Sequence, residues 1–162
     1  MARVARAADG LLAFCLGSWL GSALFFTVAV APAIFSMADE PGEAGAAIGD
    51  ILAVLHIGGA CFFTLAAALA WVLRRSAWLR FGPIVLAALC LVSHFGVSGP
   101  MAELRERPAE LRTAVDQESQ RKLHRISVLL FSAVGIGNVV LLYQFGRPIN
   151  GSFSTRSNPR IS

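Results

Sequence analysis

The sequence predicts an all-α integral membrane protein, a bundle of four transmembrane helices with both termini on the cytoplasmic side (N-in/C-in). Three observations carry that reading. Four runs free of Asp, Glu, Lys and Arg, at residues 10–38, 51–73, 81–102 and 126–146, take up more than half of the 162 residues. Each reaches the roughly 20 apolar residues that an α-helix, rising about 1.5 Å per residue, needs to cross about 30 Å of hydrocarbon. Composition agrees: 56% of residues are hydrophobic, 15% are charged and the mean hydropathy is +0.64, whereas about a quarter of the residues in soluble domains are charged. Arginines supply the third observation, because Lys and Arg concentrate on the cytoplasmic side. Arg3 and Arg6 precede the first run, Arg74, Arg75 and Arg80 separate the second from the third, and Arg147, Arg156 and Arg160 follow the fourth. The opposite side has residues 39–50, without Lys or Arg, and the 103–125 connection, with six basic and five acidic residues.

A single membrane domain, residues 1–146, fits this length, with spans at about 11–35, 51–73, 81–101 and 126–145. Residues 147–162, rich in Ser, Asn, Pro and Arg, read as a flexible cytoplasmic tail. The basic start resembles a signal peptide, but the run behind it is about 29 residues, against 7–15 for a signal core, so it reads as a retained span. The lipid bilayer is the expected partner. A net charge of +4 does not point to nucleic acid, because no basic patch is interleaved with aromatics. Arginines at anionic headgroups account for it.

Within span one, Gly17 and Gly21 have the small-xxx-small spacing that lets helices approach closely. Packing within the bundle is one reading, and the seam of a homo-oligomer is the other. Pro32 near the far end removes a backbone donor and is expected to bend or end the helix. Span two carries His56, Gly58 and Gly59, the run Ala66 to Ala68 for close packing, and a terminal Trp71 with Arg74 and Arg75 as an interfacial anchor. Span three is expected to begin just before Pro83, which a first turn tolerates, and places Cys90, His94 and Ser98 on one face. Pro100 follows it. In the 103–125 connection a solvated, self-paired charge run is expected, or a helix lying on the membrane. Asn138, in the middle of span four, wants a partner on a neighbouring helix.

Pro32 to His56 and Pro100 to His124 are the same distance apart, which suggests two helical hairpins in tandem. At that 68-residue shift few other positions match, Phe63 with Phe131 among them. Under the expected topology all three histidines lie toward the outer side. Imidazole binds copper, zinc and haem iron, and Cys90 one turn before His94 adds a soft sulfur. His56, His94, His124 and Cys90 are therefore candidate ligands for a copper-like metal ion or a haem. Separate packing and interfacial roles are the alternative. Cys15, Cys61 and Cys90 lie in spans without a pairing motif, which argues against a disulfide framework. No carboxylate pair sits in a span and no phosphate-binding glycine loop precedes a helix, so an enzyme is not expected.

Three patches resemble the transmembrane protein 205-like family. Residues 21–35, GSALFFTVAVAPAIF, are similar to its first-span signature, which ends in a proline and a phenylalanine. Residues 121–131, RKLHRISVLLF, resemble its last-span opening, and residues 99–105, GPMAELR, its segment after span three. In layout alone the chain resembles the membrane domain of CopD-type copper-resistance proteins. The resemblance implies a compact four-helix protein, in a bacterial inner membrane, without an established catalytic role. The family's eukaryotic namesake is associated with tolerance of platinum drugs, which implies metal-ion or small-solute handling at the outer face. The alternatives from the residues are a non-catalytic membrane organiser or assembly partner, or a haem-binding redox protein.

Overall fold

The computed structural model describes residues 2–106 and 113–147. Six α-helices are present among them: α1 (Ala2–Phe25), α2 (Ala31–Met37), α3 (Pro41–Val72), α4 (Ala77–Ser93), α5 (Gly99–Glu106) and α6 (Ala114–Gly146). A π-helical turn, Phe26–Val30, joins α1 to α2, and a second, His94–Ser98, joins α4 to α5. The result is four segments long and apolar enough to cross a membrane: Arg3–Met37, Gly42–Val72, Ala77–Leu104 and Val115–Gly146. The protein is all-α and multi-pass, as the sequence predicts. Helix α1 packs on α3, α3 on α4, α4 on α6, and α6 back on α1, while the diagonal pairs share no close backbone approach among the described residues. That is an up-down-up-down ring.

The helices overshoot the spans read from hydropathy, because a helix does not stop where its apolar run does. Helix α3 begins at Pro41 rather than near residue 51, with a proline in its first turn and Glu43 beside the positive helix end. Its 32 residues extend about 48 Å, well beyond about 30 Å of hydrocarbon. Helix α6 begins at Ala114, so much of the expected 103–125 connection is helix continuous with span four. A capping box starts it: the Asp116 N–H donates to Thr113 Oγ1 at 3.3 Å, and the Thr113 N–H donates to Asp116 Oδ2 at 2.9 Å. Lys122 pairs with Glu118 one turn back at 2.9 Å. Helix α4 starts at Ala77, which leaves Pro83 buried well inside the helix rather than in its first turn. The expected tail lies, after Arg147, outside the described residues.

Trp19 of α1 is the centre of the core. It is 1% exposed, its ring lies 5.2 Å from Phe63 on α3 and 5.9 Å from Phe131 on α6, and its indole N–H donates to the Leu55 carbonyl at 3.2 Å. The indole fits because Gly59 has no side chain: a Cβ there would collide with Trp19 Nε1 and Cδ1 and come within 3.1 Å of Cys90 Sγ. Helices α4 and α6 interlock by the same exchange. Leu141 fills the space over Gly82, and Leu86 the space over Gly137. Lipid tails are as apolar as leucine, so this fit, rather than water expulsion, holds the helices together. Asn138 adds a polar tie, its amide donating to the Leu16 carbonyl on α1 at 2.9 Å. Ala66, Ala67 and Ala70 give α3 its thin buried face.

Both ends of the described chain meet the α3–α4 turn. The Arg75 N–H bonds the Ala70 carbonyl and the Arg74 N–H that of Trp71, a Schellman closure in which Arg74, at φ 50°, takes the place usually held by glycine. The half-buried Arg75 guanidinium pairs with Asp9 of α1, Nε to Oδ1 being 3.2 Å, and lies 5.4 Å from the Phe145 ring of α6. Arg80 over Trp71 and Arg147 over Tyr143 complete an aromatic and arginine belt there.

Three outcomes follow from this packing and backbone geometry. Gly59→Ala is expected to lower stability by about 1–3 kcal/mol through overpacking, seen as a lower Tm in detergent. Gly58→Ala, whose Cβ meets nothing within 4 Å, does not lower Tm and gains helix propensity. Arg74→Gly is expected to raise stability by up to about 1 kcal/mol, the strain of a left-handed non-glycine residue, in chemical unfolding from micelles.

Candidate functional site

In an α-helix each N–H bonds the carbonyl four residues back, and a proline leaves one such carbonyl without its donor. Both π turns here end beside a proline, and together they free another. The Ala31 N–H reaches five residues back to the Phe26 carbonyl. Ala31 is therefore spent, and Pro32 has no N–H, so the Thr27 carbonyl has no helical donor. The second turn repeats this: the Gly99 N–H bonds the His94 carbonyl, Pro100 has no N–H, and the Phe95 carbonyl has no helical donor. Phe26 and His94, Thr27 and Phe95, Pro32 and Pro100 are all related by the 68-residue shift noted between the hairpins. Pro32 and Pro100, the expected bend or packing positions, thus each follow a π turn, a feature that recurs at functional sites.

Thr27 and Phe95 both line a cavity of 570 Å³ between the four spans, at the end opposite the termini. Each of the six helices except α1 and α4 contributes to its wall, and the two π turns supply the rest. Most of the surface is apolar, with Phe26, Phe35, Phe95 and Phe131 as aromatic faces. Polar groups are few: Asp50, His94, Ser98, His124, Ser127 and Ser132 among them. Asp50 is the one formally charged side chain in the described lining, which has no Lys or Arg.

The structure divides the sequence candidates. His94 and His124 come to the cavity, His94 half-buried with its ring 4.8 Å from Phe95, and His124 exposed. His56 and Cys90 do not line it. His56 is wholly buried, edge-on to Phe131 at 6.3 Å and within electrostatic reach of His94. Cys90 packs into the core against Gly59. Among the described residues no three His, Cys, Asp or Glu side chains converge to hold a metal ion. Cys15, Cys61 and Cys90 are free thiols.

Neither His56 nitrogen has a hydrogen-bond partner, nor has Ser93 Oγ or His94 Nδ1. An unpartnered buried polar group costs about 1–3 kcal/mol, and His56, sealed in the core, carries two of them. Gly17 and Gly21 are exposed, and a Cβ at either would meet nothing within 4 Å. They do not pack within the bundle, because α1 buries the face formed by Leu12, Cys15, Leu16, Trp19 and Ala23 instead. Of the glycines that do admit a neighbour, Gly59 and Gly82 carry no small-xxx-small signature, and Gly137 shares one only with Ala133.

The sequence matches the family model described as Domain of unknown function (DUF4149) over residues 14–110, more than half of the chain. No curated protein and no solved structure matches it. The matched segment runs from the middle of α1 past α5 and includes both π turns, both prolines, His56 and His94, while His124 and Asn138 lie beyond it. The chain belongs to the DUF4149 family of proteins.

Proposed function

We propose that this membrane protein binds a small amphipathic solute in the cavity between its four spans, at the face that the arginines assign to the outside, and that it does so without catalysing a reaction. The cavity carries the reading. Its 570 Å³ falls within the roughly 300–1,000 Å³ of small-molecule sites, which are likewise mostly apolar with a few polar anchors. All four spans contribute to it, so a bound solute touches both hairpins at once. A solute suits the lining better than a metal ion, since His94 and His124 stand there without His56 or Cys90. The patches similar to the transmembrane protein 205-like family support handling of a small solute, and two of them contain Pro32 and Pro100.

A second reading rests on a different face. Gly17 and Gly21 are open to lipid on α1, and Phe14 and Phe25 beside them are exposed, so two copies of the chain have a surface on which to pack closely.

The two readings separate by experiment. Ala53 lines the cavity, and Ala53→Trp is expected to fill it. In nanodiscs, the fluorescence gain of N-phenyl-1-naphthylamine over empty discs should fall at least about tenfold in apparent affinity, about 1.4 kcal/mol, with Tm retained. An equal gain from wild type and variant would refute solute binding here. Gly17→Leu is expected to abolish cross-linking between copies in membranes while leaving probe binding intact. Unchanged cross-linking would dispose of the α1 seam.

A further inference from the structure

We infer that the solute is an organic cation, an ammonium-type group on an apolar or aromatic body. The inference rests on the solute-binding reading and adds the charge of the ligand to it. Three independent features of the cavity point the same way. The first is the repeated π turn with its proline, which leaves the Thr27 and Phe95 carbonyls without helical donors, one from each hairpin. A carbonyl in hydrocarbon cannot turn to water, and unsatisfied backbone at membrane depth is tolerated where it lines a cavity. Two such oxygens accept hydrogen bonds or attract positive charge, and they repel an anion.

The second feature is formal charge. Asp50 lines the cavity and no Lys or Arg does so among the described residues. Its carboxylate therefore acts on the cavity without an opposing cation in the described lining. The third is the aromatic lining. Phe26, Phe35 and Phe131 join Phe95 in the wall, and the negative face of a phenyl ring attracts a desolvated cation while also packing its apolar body. Acceptor oxygens, one carboxylate and aromatic faces are together a recognition set for organic cations.

The source of the cation is either a free solute or the ammonium headgroup of a lipid, and the two share this chemistry. The test uses the full chain in maltoside micelles and three probes of similar shape: tetraphenylphosphonium, neutral triphenylphosphine oxide and anionic tetraphenylborate, measured by equilibrium dialysis. The expected order is the cation tightest, by at least about tenfold over the neutral probe, with the anion weakest. Asp50→Asn should weaken the cation by about tenfold and leave the neutral probe unaffected, with Asp50→Glu restoring it. Pro100→Ala, which returns an N–H to the helix, should weaken the cation as well. Because Asp50 is exposed, its variants test the idea even if the proline variant fails to fold.

Equal binding of cation and neutral probe, or indifference of the cation to Asp50→Asn, would overturn the inference while leaving solute binding standing. Equal uptake of every probe by wild type and Ala53→Trp would remove solute binding as well. Given preferential cation binding, competition by phosphatidylethanolamine but not phosphatidylglycerol assigns the cation to a lipid headgroup. Absence of competition by either assigns it to a free solute, and both results support the inference.

Discussion

A backbone carbonyl inside a bilayer has no water to bond, and that constraint governs this molecule from its helices to its cavity. It is why the described residues form helices long enough to cross the membrane, each closing its own hydrogen bonds. It also makes the two prolines consequential. In water, the carbonyls left over by Pro32 and Pro100 would be hydrated at little cost. Between helices in hydrocarbon they require a place where something else reaches them, and the two residues that carry them line the cavity. The π turns extend this logic, since each shifts an N–H one residue further back and frees a carbonyl more.

The same absence of water alters what holds the helices together. Apolar side chains gain little by leaving lipid for one another, so cohesion comes from fit and from a few polar ties. Trp19 occupies the volume that Gly59 leaves open and reaches Phe63 and Phe131 from there. Phe63 and Phe131 are related by the same 68-residue shift, so one indole is held by a phenylalanine from each hairpin. Asn138 and Arg75 tie α6 and the α3–α4 turn to α1, one in the core and one at the arginine-rich end.

Hydropathy made the four spans legible because apolar length is a direct reading of bilayer thickness. It could not show where helices end, since Pro41 and the Thr113–Asp116 capping box extend α3 and α6 through polar sequence that hydropathy treats as loop. The prolines were legible as bends, but the five-residue reach of the Ala31 and Gly99 amides depends on how each bent span packs, which no residue there announces. Spacing drew attention to Gly17 and Gly21, yet a small residue marks close approach only if its face turns inward, and Trp19 turns that face of α1 elsewhere. The histidines illustrate the same limit. Depth along the chain brings His56, His94 and His124 to a similar level, while rotation about the helix axis sends His56 into the core and His124 to the cavity.

The two hairpins share a backbone device while the side chains around it differ. Phe26 and His94 open the two π turns at corresponding positions, one buried and apolar, the other half-buried and polar. His56 lies sealed in the core where its counterpart His124 is exposed. Two matching halves would receive a guest in either of two orientations with equal ease. Unequal halves break that degeneracy, so a guest whose two ends differ is held in one orientation rather than in either of two.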